Sequence, residues 1–207
     1  MISVRLVRFG KAFKVYSDDE YMGIIYKADF GKLGLDIDAK TLGKESEHEI
    51  ADDRLDVLRD VVTYHAFDKA VAYAATTECC ESDVRFRLRF RDYPDYAIDG
   101  TVELMYEYNY IDDRRYAEAY ARTYALSKSK SLIIKELEMK DVSFDGMYEL
   151  IDGVYEDEDI SEDKAIEELL RKRFSGQDMN DEKVKRRAMG LLVRHGFSFE
   201  KINNHLT

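Results

Sequence analysis

The sequence of 207 residues has no tryptophan and a single proline, Pro94, so long helices are possible along almost all of it. Its two cysteines, Cys79 and Cys80, are neighbours, a spacing that suits neither a disulfide nor a metal site. No apolar run approaches the ~20 residues of a membrane-spanning helix, and the first residues lack the apolar segment of a secretion signal. We therefore expect a protein of the reducing cytoplasm.

The composition allows a folded core but argues against simple binding to DNA. Apolar residues make up 45% of the chain and aromatic residues 12%, whereas the net charge is −11. The charge is uneven, because the acidic run EDEDISED at 156–163 precedes a segment with ten basic and six acidic residues, 164–207. We interpret the run as an exposed linker before a basic C-terminal unit.

The N-terminal segment has the alternating pattern of β-strands. Apolar and polar residues alternate in ISVRLVRF (2–9), FKVY (13–16) and YMGIIY (21–26), which predicts a short meander with a hairpin turn at Ser17–Glu20. From about Thr41 the pattern becomes helical, and we expect it to stay helical to the end of the chain.

The helical part contains an internal repeat. When the chain is shifted by 49 residues and then by a further 55, five apolar positions coincide three times. Within each copy four of the five positions form two pairs with members four residues apart, a spacing that places each pair on one face of a helix. The coinciding residues are Val84, Ile133 and Ala188; Leu88, Leu137 and Leu192; Tyr93, Val142 and Phe197; Ile98, Met147 and Ile202; Val102, Ile151 and Leu206.

These patterns predict a mainly α fold: three tandem three-helix repeats, stacked in an elongated array, behind a small N-terminal β-hairpin or meander. The predicted boundaries are 1–45 for the strands and 46–108, 109–158 and 159–207 for repeats 1 to 3. The stretch VRFRLRFR (84–91) alternates like a strand, but the repeat places it in the second helix of repeat 1. In repeat 3, Gly196 is suited to end a helix and Ser198 to begin the next.

Three segments resemble the RecX regulatory family. They are YIDDRRYAEAYAR (110–122), KSLIIKELEMKDVSFD (130–145) and RHGFSFEKINNHL (194–206). The family's architecture is also three tandem three-helix repeats. Its glycine at the end of the second helix is replaced by Asp92 and Asp141 in the first two repeats of this sequence.

The resemblance implies a function in DNA repair by homologous recombination. Members of the family bind the RecA recombinase and its filament on single-stranded DNA, and they inhibit filament extension, ATP hydrolysis, strand exchange and the SOS response. They are not enzymes and use no cofactor. For this chain we therefore expect the RecA filament as partner, weak or indirect contact with single-stranded DNA, and a monomeric state.

Basic residues are the best candidates for contacts with the partner or with nucleic acid. They cluster on or next to the second helix of each repeat. The candidates are Arg85, Arg89, Lys130, Lys135, Lys183, Arg186, Arg187 and Arg194.

Several alternatives remain open. Asp112 and Asp113 form either a catalytic carboxylate pair or, as we prefer, the start of a helix. Tyrosines between 106 and 124 either stack on bases or, more often at helical spacing, belong to the core. The sequence has no nucleotide-binding glycine loop or metal-ligand spacing. A helical DNA-binding transcription regulator with helix-turn-helix-like units is the alternative function.

Overall fold

The structure is a computed structural model that describes residues 1–38 and 42–206, in which four β-strands and nine α-helices are formed. The chain divides into two compact units, Met1–Ile111 and Asp112–Thr207. The predicted fold class is confirmed: a small antiparallel sheet is followed by a chain that is helical to Leu206.

The sheet of the first unit is antiparallel throughout. Strands β1 (Ile2–Phe9), β2 (Ala12–Ser17), β3 (Glu20–Tyr26) and β4 (Glu45–Ile50) lie in the order β3-β2-β1-β4. The predicted hairpin turn joins β2 to β3, and its two central residues, Asp18 and Asp19, have φ angles of 48° and 63°. Such positive φ values give the turn a twist that matches that of the strands.

Strand β4 corrects the prediction that the chain is helical from about Thr41 onward. Residues Glu45–Ile50 pair with β1 at the edge of the sheet, whereas Thr41 itself lies outside the described residues. The strand was missed because five of the six residues in ESEHEI are polar. The strand still alternates in exposure. Its three glutamates are exposed, and of the other three residues, which face the opposite side, only Ile50 is buried.

Three helices complete the first unit: α1 (Arg54–Ala74), α2 (Glu81–Phe90) and α3 (Asp95–Glu107). A 3-10 turn at Lys27–Asp29 follows β3. Helix α1 packs on the inner face of the sheet so closely that a Cβ atom at Gly23 in β3 would lie 2.5 Å from the Val62 side chain. The prediction that VRFRLRFR is helical is confirmed, because its first seven residues lie in α2 and Arg91 ends it.

The second unit contains six helices. They are α4 (Asp113–Tyr124), α5 (Lys130–Glu138), α6 (Met147–Asp157), α7 (Glu162–Phe174), α8 (Glu182–Arg194) and α9 (Phe199–Leu206). Of the fifteen residues that coincide in the repeat, all are buried except Tyr93, which is half-buried. The predicted domain boundaries remain a prediction, and β4 spans the one between 45 and 46.

The repeat extends to the backbone where each second helix ends. Asp92, Asp141 and Gly196 occupy the same position in the three repeats, and their φ angles are 68°, 59° and 84°. The next amide in each repeat donates a hydrogen bond to the carbonyl five residues earlier, with lengths of 3.1, 3.0 and 3.2 Å. All three helices therefore end in the same left-handed capping motif, whether the residue is aspartate or glycine.

Candidate partner and nucleic-acid surfaces

Helix α8 presents a basic surface to solvent. Val184, Ala188 and Leu192 are buried at helical spacing, so the opposite side of the helix is exposed. Asp181 caps the start of the helix, and its carboxylate accepts a hydrogen bond from the Lys183 amide at 2.7 Å. We name the exposed basic residues of this helix the α8 basic face; they are Lys183, Arg186, Arg187 and Arg194.

The charges of the α8 basic face are available to an anionic partner. Within residues 1–38 and 42–206, none of its four members forms an ion pair with a carboxylate. Arg187 donates to the Gln177 side-chain oxygen at 3.2 Å, which leaves its charge uncompensated. The basic residues of α7 differ, because Arg171 and Lys172 both pair with Glu168, at 2.7 and 3.1 Å.

The lysines of repeat 2 differ in whether a carboxylate pairs with their charge. Lys130 pairs with Asp152 at 2.5 Å, and Lys128 pairs with Glu136 at 2.6 Å. Lys135 is exposed and has no carboxylate partner among the residues described. Of the two candidate lysines of this repeat, Lys135 is therefore the one with a free charge.

Both candidate arginines of α2 are held by carboxylates. Arg85 bonds to Glu81 one turn earlier and to Asp99 of α3, each at 2.6 Å, and the two bonds raise the pKa of the guanidinium further. Arg89 lies 3.6 Å from Asp95, at the start of α3. These arginines thus contribute to the contact between α2 and α3, which leaves less of their charge for a partner.

Arg87 and Arg91, the other two arginines of VRFRLRFR, lie on a different side of the helix. The sequence did not single them out as site residues. The Arg87 guanidinium lies 3.6 Å from the centroid of the Tyr73 ring, in cation–π contact. Arg91 lines a groove on this side, together with Tyr73, Arg87 and the exposed rings of Phe86 and Phe90. On a helix the four arginines of VRFRLRFR fall into two i,i+4 pairs, Arg85 with Arg89 and Arg87 with Arg91. Only the packing of α3 shows that the first pair faces its acids.

The tyrosine stripe of α4 is structural. Tyr116 is buried, and Tyr120 lies between Tyr116 and Tyr124 with ring centroids 6.0 and 4.6 Å away. Tyr120 donates to Glu136 at 2.8 Å; burial, and then this contact, raises the pKa of its phenol. In the first unit, by contrast, Tyr108 is 59% exposed.

The acidic pair Asp112 and Asp113 lies at the start of α4. The Asp112 carboxylate accepts a hydrogen bond from the Arg115 amide at 2.7 Å, which confirms its capping role.

Among the described residues, none of the helices combines the length and apolar character needed to cross a bilayer.

The fold and the exposed basic surface define a class of protein: tandem three-helix repeats behind a small antiparallel sheet. The profile of the third three-helix domain of RecX matches residues 161–206, the segment that contains α7, α8 and α9. The chain is similar to the regulatory protein RecX of Bacillus velezensis, with 31% identity over 141 residues that make up 67% of this chain and 52% of the relative. The predicted relationship to the RecX family is thereby confirmed.

Other relatives agree with this assignment. The regulatory protein RecX of Clostridium acetobutylicum is 24% identical over 73% of this chain and 74% of its own length. A crystal structure of regulatory protein RecX is 17% identical, covers 98% of both chains and has a TM-score of 0.53, which shows a shared fold. The aligned segment spans only about half the length of the Bacillus velezensis relative.

Proposed function

We propose that this chain is a non-enzymatic regulatory protein that binds a RecA recombinase filament on single-stranded DNA and inhibits its extension, ATP hydrolysis and strand exchange. The relationship to proteins named regulatory protein RecX supports this proposal. The alternative, a helix-turn-helix transcription regulator, is not favoured by these names. We further propose that the protein acts in the cytoplasm as a monomer. The predicted domain boundaries also remain a proposal.

The observation that carries the proposal is the α8 basic face. A chain with a net charge of −11 is repelled by DNA at long range, so a contact needs a local cationic surface. The α8 basic face provides one, and it lies within the segment matched by the RecX profile. We propose that it contacts the filament, together with Lys135; Arg85, Arg89 and Lys130 remain proposed as secondary contacts.

The test is an ATPase assay of RecA on single-stranded DNA at physiological salt. The native protein should inhibit hydrolysis, and the combined variant Lys183→Gln, Arg186→Gln and Arg187→Gln should inhibit it less. The matched control is Lys164→Gln, Arg171→Gln and Lys172→Gln on α7, which removes the same charge from residues already paired with carboxylates.

Three outcomes would count against the proposed function or against the surface assigned to it. Absence of inhibition by excess native protein would contradict the proposed function. Equal inhibition by the two triple variants would remove the α8 basic face from it. Sequence-specific retention of duplex DNA, with affinity falling steeply as salt rises, would instead support the transcription regulator.

A further inference from the structure

Helix α2 exposes two large apolar rings. Phe86 and Phe90 are 71% and 84% exposed, and their i,i+4 spacing places them on one side of the helix. The core residues of this helix, Val84 and Leu88, lie on another side and are buried. Neighbouring exposed aromatic rings on a rigid helix are typical of a contact surface.

The two rings line a groove of about 600 Å³, which we name the α2 groove; its lining residues are Tyr73, Asp83, Phe86, Arg87, Phe90 and Arg91. On α2 these residues fall at positions i, i+3, i+4, i+7 and i+8, the spacing of a single helical stripe. Rings and guanidinium groups thus alternate along one continuous surface.

The groove carries net positive charge, because it is lined by two arginines and one carboxylate, Asp83. In the part of the chain that the structure describes, neither Arg87 nor Arg91 forms an ion pair with a carboxylate, in contrast to Arg85 and Arg89 on the other flank. The acid of the groove, Asp83, accepts a hydrogen bond from the Cys80 thiol at 3.3 Å. The charge of the surface is complementary to an anion.

We propose that the α2 groove binds single-stranded DNA, with unpaired bases stacked on Phe86 and Phe90 and phosphates held by Arg87 and Arg91. Aromatic rings that alternate with cations match a strand in which each nucleotide has an apolar base face and one phosphate. Bases in a duplex are already stacked on each other and cannot use these rings. The inference rests on the proposed function for the presence of single-stranded DNA at the site of action.

The test measures the affinity of a fluorescent oligothymidylate for the full chain by anisotropy, without recombinase. The combined variant Phe86→Leu and Phe90→Leu keeps the apolar surface and removes the rings, so its affinity should fall about tenfold or more. Phe86→Tyr with Phe90→Tyr keeps a stacking ring and should bind within about twofold of the native protein. Because both side chains are exposed, we expect these variants to fold, which circular dichroism verifies.

The arginines of the α2 groove allow a second matched comparison. Arg87→Gln with Arg91→Gln should weaken binding and reduce the salt slope of log K by about 0.7 for each lost phosphate contact. Arg171→Gln with Lys172→Gln on α7 removes the same charge from residues that pair with Glu168 and should change the affinity by less than about twofold. Equal losses in the two variants would overturn the assignment of the phosphates to the groove.

Other results would overturn the inference as a whole. Duplex DNA bound as tightly as the single strand, or leucine variants with native affinity, would exclude stacking. If sedimentation shows a dimer that the leucine variants disrupt while oligonucleotide binding persists, the groove's occupant is a second copy of the chain. Native protein that binds no oligonucleotide but inhibits RecA contradicts only this inference; binding without inhibition contradicts only the proposed function.

Discussion

The backbone amide of Ser129 donates a hydrogen bond to the carbonyl oxygen of His195 at 2.9 Å. This bond joins the start of α5 to the turn between α8 and α9, so it connects repeats 2 and 3 within the second unit. Ser129 is 1% exposed, and its hydroxyl also accepts a hydrogen bond from the Leu132 amide at 3.2 Å. The contact leaves almost no space around Gly196, the residue after His195.

We predict that Gly196→Ala destabilises the second unit by about 2 kcal/mol or more. A Cβ atom there would lie 2.5 Å from the Ser129 hydroxyl oxygen and 2.6 Å from the Leu132 Cβ, and the φ angle is +84°. The measurement is the midpoint of urea unfolding. The control is Gly190→Ala in α8, where the Arg194 side chain is 3.6 Å away and helix propensity should stabilise by about 0.5–1 kcal/mol. Equal effects of the two variants would contradict the close contact.

We predict that Asp141→Gly stabilises the protein by up to about 1 kcal/mol, because glycine adopts the left-handed conformation without steric cost. Asp141 has φ 59° and is exposed. Asp92→Gly at the equivalent position should gain less, because the Asp92 carboxylate pairs with Lys14 and this contact would be lost. Thermal unfolding of both variants tests the prediction, and a larger gain for Asp92→Gly would contradict it.

The repeat could be predicted because it is a property of spacing. The same offsets that align Leu88 with Leu137 and Leu192 also align the three left-handed residues at the helix ends. The candidate surfaces were harder to predict from the sequence, because the partner of an arginine depends on how two helices cross. Asp99 lies fourteen residues after Arg85, and only the packing of α3 against α2 brings the carboxylate to 2.6 Å. Neither Phe86 nor Phe90 has an apolar counterpart in both of the other repeats, which is the sequence signal that they lie outside the shared core.

We predict that thiol reagents modify the two cysteines of the folded protein far more slowly than those of the unfolded chain. Cys79 is 1% exposed and Cys80 is 0% exposed, and burial raises the pKa of the Cys80 thiol above its ordinary value. The thiolate is the reactive form, so burial and the raised pKa act in the same direction. Absorbance of released thionitrobenzoate in native buffer and in concentrated guanidinium chloride measures the difference. Rapid modification in native buffer would contradict the burial of this segment.

We predict that Glu168 stabilises α7 at neutral pH and that this contribution disappears in acid. Hydrogen bonds and charge from Arg171 and Lys172 lower the pKa of Glu168 from 4.5 to about 2. A carboxyl whose pKa is lower in the folded state stabilises above its unfolded pKa and loses that contribution as the pH falls through the folded one. The difference in melting temperature between the native protein and Glu168→Gln should therefore be constant above about pH 5 and shrink towards pH 2.

Glu167→Gln, an exposed neighbour without an ion pair in the described residues, is the control and should show little change over this range. Because Arg171 and Lys172 are exposed, added salt should reduce the Glu168 effect, and a difference that grows on acidification would contradict the ion pairs.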